Sequence, residues 1–183
     1  MVHDRRRARC LGCATTVAQI VYAHAVSTPR AWVLLSYRLP REPSTPRAAL
    51  WRSLRKLGAV QVVDGLVALP DIDRTREQLD WLAQEVISAS GEAVVWSAVV
   101  NASRDDDAMV DRARAARSGE YAAIETAALS AAEASDSTTR ARSSRRLRRE
   151  LLQVTRRDYF TAPGRAAATA AVSALRSQVD ATP

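Results

Sequence analysis

A hairpin signal in the middle of the chain constrains the fold more than any other feature of the sequence. Two short apolar runs, residues 60–63 and 66–69, flank the dipeptide Asp64-Gly65. Asp-Gly tolerates the positive φ angles of a two-residue turn, so the runs are predicted to pair as antiparallel strands. Gly58, just before the first run, is predicted to end a helix in the left-handed conformation.

The helix before this hairpin has a clear start signal. Thr45 is predicted to be the cap residue before Pro46, and proline is favoured in the first helical turn because no amide donor is needed there. Leu50, Leu54 and Leu57 then recur at the spacing of one helix face. The sequence therefore predicts a helix from about residue 46 to residue 57, with its apolar side toward a core.

Two further apolar runs, residues 32–37 and 93–100, are predicted to be central strands. Between the hairpin and the second run, Asp73 can cap a helix and Gly91 can end it. The order strand, helix, hairpin, helix, strand favours an α+β fold, a ferredoxin-like split βαβ sheet (βαββαβ) with both helices on one face. A C-terminal helical extension follows this sheet.

The chain is predicted to divide into three parts. Residues 1–30 form a basic disordered tail, residues 31–102 the ferredoxin-like domain, and residues 103–180 the helical extension. In the extension, Ser103 and Asp106 are predicted to form a capping box, and Ser118-Gly119 are expected to kink or divide the first helix.

The N-terminal tail leaves several interpretations open. Four arginines precede a mildly apolar stretch, which resembles a weak export signal, but a tail or a misassigned start are alternatives. Cys10 and Cys13 form one CxxC pair without the second pair that a structural zinc site needs. We therefore expect no metal and no other cofactor. No apolar run has the roughly 20 residues that a membrane span requires.

Basic residues dominate the charge of the chain, which is +7, and only one of the 27 basic residues is lysine. The arginine-rich segment is predicted to be either a solvated helix or a phosphate-binding surface that contacts DNA. Its arginines are Arg140, Arg142, Arg145, Arg146, Arg148 and Arg149. A second candidate DNA surface comprises Arg52, Arg55 and Lys56, with Arg47, on the first helix.

An anion-binding site is predicted where the first helix begins. Arg41, Ser44, Thr45 and Arg47 surround a helix N-terminus, which offers free amides and a favourable dipole to an anion such as sulfate. In the alternative interpretation these arginines only pair with surface acids such as Glu42.

Signals of catalysis are absent from the sequence. It contains no glycine-rich dinucleotide loop and no Ser-His-Asp set, and its two histidines, His3 and His24, lie in the tail. We therefore expect that the protein is not an enzyme.

Several long motifs resemble one known family. The runs WVLLSYRLPREPSTPRAALWRSLRKLGAV, DGLVALP, TREQLDWLAQEV, GEAVVW and DYFTAPGRAAA are similar to the N-terminal domain of ChrB, the chromate-resistance regulator family, over about residues 31–178. The resemblance implies a cytoplasmic bacterial protein, linked to chromate efflux, that binds DNA and responds to chromate. It also makes chromate a candidate ligand of the predicted anion site. A homodimer is expected because operators are commonly read two-fold.

The chain departs from that family in length. ChrB proteins usually carry a further C-terminal domain, and this chain ends at Pro183. We therefore expect a stand-alone N-terminal domain, in which chromate sensing is absent or is supplied by a separate chain. The alternatives to a DNA-binding regulator are a non-catalytic interaction module that partners a separate sensor and, less in keeping with the motifs, a chromate-processing enzyme.

Overall fold

The computed structural model describes residues 30–181, which form four strands and five helices. In chain order they are β1 (Ala31–Arg38), α1 (Thr45–Leu57), β2 (Val60–Val63), β3 (Leu66–Pro70), α2 (Asp73–Ser88), β4 (Glu92–Val99), α3 (Ser103–Ala132), α4 (Ser137–Arg156) and α5 (Arg165–Asp180). The four predicted strands and the predicted first helix are confirmed to within one residue at each end. The prediction that residues 93–100 are a central strand is wrong, because β4 lies at the edge of the sheet. The predicted caps are also wrong, because Ser44 rather than Thr45 is the N-cap residue of α1 and Ile72 rather than Asp73 is that of α2. The predictions for residues 1–29, including Cys10 and Cys13, lie outside the described residues.

The strands form one antiparallel sheet in the order β2-β3-β1-β4. In its centre, Leu35 of β1 pairs with Val67 of β3 on one side and with Val95 of β4 on the other. The predicted hairpin turn is confirmed, and Gly65 has a φ of +74°. A Cβ on Gly65 would also lie 2.6 Å from the carbonyl oxygen of Tyr37, so this position needs glycine for space as well as for conformation.

The side chains of β1 alternate between two cores, as the two-residue period of a strand requires. Val33 and Leu35 face α1 and α2, and the side chains of those helices complete a continuous apolar core on that face. Trp32 and Leu34 face the opposite side, where they meet Met109 and other residues of a second core. Both helices that connect strands within the sheet therefore pack on one face, and α3 packs on the other.

The start of α3 is fixed to β1 by a buried carboxylate. Asp106 accepts hydrogen bonds from Trp32 Nε1 at 2.7 Å and from Arg30 Nη1 at 2.6 Å. The hydrogen bond to Asp106, and after it the one to Asp107, raises the pKa of Arg30 above its usual value. The predicted capping box of Ser103 and Asp106 is wrong, because Ala102 is the N-cap residue and its side chain makes no capping hydrogen bond. The Asp106 carboxylate instead accepts a hydrogen bond from Trp32, which lies 74 positions away in the sequence.

Helix α3 is not divided at Ser118-Gly119, since it runs without interruption for 30 residues. A single glycine costs a helix only about 1 kcal/mol. Packing on both sides of Gly119 offsets that cost, because Met109 and Val110 are buried before it and Ile124 after it.

The helical extension has a core of its own between α3, α4 and α5. Its largest buried side chains are those of Tyr121, Leu147 and Leu175. Burial is the main cause that raises the pKa of Tyr121, whose hydroxyl donates to Asp158 at 3.0 Å. Among the helices of residues 30–181, none has the length and apolar character needed to cross a bilayer.

Candidate nucleic-acid interface

Helix α4 carries the candidate interface, and its N-terminus is well defined. Asp136 accepts hydrogen bonds from the amides of Thr138 at 3.2 Å and Thr139 at 2.8 Å, which is a standard N-cap arrangement. Leu147 and Val154 anchor one side of the helix in the core of the extension. The opposite side of α4 is consequently turned to solvent.

Arginines occupy this exposed side. Arg142, Arg145 and Arg149 follow the i, i+3, i+7 spacing that places residues on one stripe, which is about 10 Å long at the helical rise of 1.5 Å per residue. Arg146 and Arg148 flank the stripe. The name "basic face of α4" is used below for these exposed arginines: Arg142, Arg145, Arg146, Arg148 and Arg149.

Most of the positive charge on this face is not neutralised. Arg146 pairs with Glu150, with Nη1 and Oε1 2.9 Å apart. Within residues 30–181, no acidic side chain forms an ion pair with Arg142, Arg145, Arg148 or Arg149. A polyanion approaching α4 would therefore meet four guanidinium groups without having to displace a carboxylate.

Arg140, the remaining arginine of the predicted set, has a different environment. It is half-buried, and its Nη1 donates to the carbonyl oxygens of Ala134 at 2.7 Å and Ser135 at 3.2 Å. This guanidinium holds the connection between α3 and α4, so the structure separates Arg140 from the basic face of α4.

The second predicted DNA surface, on α1, also divides into two environments. Arg52 and Arg55 are exposed, and neither forms an ion pair with an acid in the described part of the chain. Lys56 is also exposed, but it additionally lines a pocket together with Arg74 of α2 and Arg156 of α4. The structure thus brings Lys56 together with arginines that are distant from it in sequence.

The predicted anion site at the start of α1 is only partly assembled. Ser44 and Arg47 line a pocket of about 640 Å³, whereas Arg41 and Thr45 do not. Arg47 is already engaged, since its Nη2 donates to the carbonyl oxygen of Pro40 at 2.7 Å. Asp64 contributes a carboxylate to the same wall, which opposes an anion.

Tyr37 also lines this pocket, and its pKa is raised, chiefly by burial and then by Asp64. In the described residues, no cluster of three His, Cys, Asp or Glu side chains is suited to hold a metal ion.

Comparison with known proteins places the chain in a family. The sequence model of the family described as "Protein ChrB, N-terminal" matches residues 47–182, which is most of the chain. The chain belongs to the ChrB N-terminal family. It is also 38% identical over 96 residues to "Protein ChrB" of Cupriavidus metallidurans, a match that covers 52% of this chain and 29% of that protein. The chain thus matches less than a third of the length of this relative. No solved structure matches it.

The ChrB N-terminal match covers every residue of the two predicted DNA surfaces, because both lie between residues 47 and 182. Among the predicted anion-site residues only Arg47 falls inside it.

Sequence reasoning missed Arg74, Arg156 and Tyr159, which meet around the pocket that contains Lys56. A signal for Arg156 was available, because it lies seven residues after Arg149 and continues the stripe of α4. Arg74 carries no such signal, since only the folded chain brings α2 next to the end of α4.

Proposed function

We propose that this protein is a regulatory module of a chromate-resistance system that binds DNA through the basic face of α4 and responds to chromate. The observation that carries the DNA-binding part is the set of four exposed arginines on one helix that form no ion pair with an acid in residues 30–181. Arginine presents a planar fork of donors that matches phosphate oxygens, and it keeps its charge at any physiological pH. Arg52 and Arg55 on α1 supply a second, smaller basic surface.

The chromate part of the proposal rests on the family. Membership in the ChrB N-terminal family supports a role in chromate resistance, and the relative in Cupriavidus metallidurans carries the name "Protein ChrB". We propose further that the protein acts in the cytoplasm as a homodimer, because operators are commonly read two-fold. We also propose that it acts without catalysis, because the basic face of α4 is suited to binding rather than to bond cleavage.

The fold proposal is consistent with this role. The strand order β2-β3-β1-β4, together with α1 and α2 on one face, supports a ferredoxin-like arrangement. In that arrangement the sheet is a scaffold, and the extension that carries α4 is free to present its arginines to a partner.

A salt series on the promoter of the protein's own operon tests DNA binding. Each phosphate neutralised contributes about −0.9 to the slope of log affinity against log salt. The triple variant Arg142→Gln, Arg145→Gln, Arg149→Gln is expected to lower affinity at least about tenfold and to reduce the slope by about 2 to 3. The measurement is fluorescence anisotropy of labelled DNA between low and high salt, with and without chromate.

The matched control is the triple variant Arg38→Gln, Arg112→Gln, Arg165→Gln. It removes the same charge from exposed positions outside α4 and is expected to leave the slope unchanged. Equal losses in both triple variants would mean that only net charge matters and would refute the assignment to α4. Absence of binding by the wild type would instead favour an interaction module that works with a separate sensor chain.

A further inference from the structure

A second basic site lies where the sheet and the helical extension meet. Three elements form its walls: the end of α1, the start of α2 and the end of α4 with the residues that follow it. The cavity between them has a volume of about 440 Å³. It is called the seam pocket below, and four of its lining residues are cationic: Lys56, Arg74, Arg156 and Arg157.

The charge of the seam pocket is strongly one-sided, because none of its lining residues within 30–181 is acidic. Lys56, Arg74 and Arg156 form no ion pair with any acid in residues 30–181. Only Arg157 is compensated, by Glu120, with Nη2 and Oε1 2.9 Å apart. Like charges gathered in one concave site repel one another, so an anion between them would be bound favourably.

Protein contacts hold the Arg74 side chain in place. Arg74 Nη2 donates to the carbonyl oxygen of Arg156 at 2.9 Å, and its guanidinium lies over the ring of Tyr159, 5.8 Å from the centroid. The Tyr159 hydroxyl in turn donates to the carbonyl oxygen of Leu57 at 3.2 Å. Arg74 is therefore positioned by contacts to backbone and ring while its charge remains uncompensated.

Two polar atoms of the walls lack partners. Arg157 Nε and Gln78 Oε1 are buried and have no hydrogen-bond partner among the described residues. A buried donor without a partner is costly, and Arg157 Nε is such a donor. The Gln78 amide can present its NH₂ group instead of its oxygen by a half-turn, so it can also donate to an anion.

We propose that the seam pocket binds a small tetrahedral oxyanion with two negative charges, the chemical class of sulfate, phosphate and chromate. The three unpaired cations supply the charge, and Gln78, Gln153 and Arg157 supply additional donors. The volume admits such an ion together with some of its hydration water. A predominantly apolar ligand would leave the cations uncompensated.

The proposal deepens the proposed function, because it gives the module a place for its effector. The occupied pocket would join α4 to α1 and α2, since Arg156 is the last residue of α4. An oxyanion bound there would thus act on the helix that carries the basic face of α4.

Isothermal titration calorimetry of the full chain with sulfate, phosphate and chromate, at constant ionic strength maintained with chloride, tests the proposal. Sulfate is the redox-inert probe, and chromate is titrated without reductant. We expect saturable binding of one oxyanion per chain. The double variant Lys56→Gln, Arg156→Gln removes two charge-assisted contacts and is expected to raise the dissociation constant at least about tenfold.

The control variant Arg112→Gln, Arg165→Gln removes the same charge from exposed positions that do not line the pocket, and its affinity is expected to stay within about twofold of wild type. Heats that do not saturate, or an equal loss in both double variants, would overturn the proposal. The DNA assay, run without oxyanion, distinguishes failure of the seam pocket from failure of the proposed DNA binding. If the protein binds DNA but no oxyanion, only the proposal for the seam pocket is refuted. If the Lys56→Gln, Arg156→Gln variant binds sulfate normally but loses DNA, the pocket holds a phosphate of DNA instead.

Discussion

Gly58 shows how a single residue fixes the contact between the sheet and the helical extension. Its φ of +79° ends α1 in the left-handed conformation, as its position after Leu57 predicts. Its lack of a side chain also makes room for the extension. A Cβ at this position would lie 2.6 Å from Arg117 Nη1 and 3.2 Å from the carbonyl oxygen of Arg157.

Gly58→Ala is therefore expected to destabilise the protein by about 2 kcal/mol. The left-handed conformation alone costs an alanine roughly 1 to 2 kcal/mol, and displacement of Arg117 adds to that cost. Gly119→Ala is the matched control, because it lies within α3 and a Cβ there meets nothing within 4 Å. It is expected to stabilise by up to about 1 kcal/mol.

Urea unfolding of the two glycine variants measures both effects. If the urea midpoint of Gly58→Ala equalled that of the wild type, the close approach of Arg117 and Arg157 to position 58 would not require glycine there. A loss of free energy of unfolding of similar size in Gly119→Ala would show a general effect of alanine rather than an effect of the contact at position 58.

The individual elements could be predicted where their signals are local. Asp64-Gly65 specifies the hairpin and Gly58 the helix end, and both signals act within a few residues of their effect. Asp106 shows the limit, because its partner Trp32 lies 74 positions away and the local pattern suggested a capping box instead. The seam pocket could not be predicted for the same reason, since Lys56, Arg74 and Arg156 come together only when three elements pack.

The N-cap of α4 makes this element sensitive to pH. Hydrogen bonds from the Thr139 side chain, first, and then from the amides of Thr139 and Thr138 lower the pKa of Asp136. A lowered pKa in the folded state means that the ionised cap stabilises α4 above the usual pKa of an aspartate. That contribution is lost as the pH falls through the lower, folded-state pKa.

Asp136→Ala is accordingly expected to lower the thermal midpoint at neutral pH, and its deficit relative to wild type should shrink as the pH approaches about 2. Asp136→Asn retains an uncharged acceptor, so its difference from the alanine variant should change little with pH. Circular dichroism melts of the three proteins at a series of pH values provide the comparison. An alanine deficit that stays constant down to about pH 2 would show that the charge of Asp136 does not contribute.

At the scale of the whole molecule, the sheet and the helical extension share a core. Trp32 of β1 is buried against Met109 and Val110 of α3, and its ring lies 5.5 Å from that of Phe160. The Asp106 bonds and the Gly58 contact join the same two parts at other points. Residues 31–102 and 103–180 can be distinguished as segments of the sequence, but these contacts favour their unfolding as one unit.

Two spectroscopic probes can test this cooperativity because they report on different parts of the chain. All four tryptophans precede residue 100, whereas α3, α4 and α5 of the helical extension contribute much of the helical circular dichroism. We expect both signals to change at the same urea concentration, as a two-state transition requires. Phe160→Ala removes a half-buried ring from the shared core. It should lower the free energy of unfolding by about 2 kcal/mol, so that both urea midpoints fall together. Midpoints that separate in the wild type would mean that the extension unfolds independently of the sheet, and the seam pocket would then be lost when the less stable part unfolds.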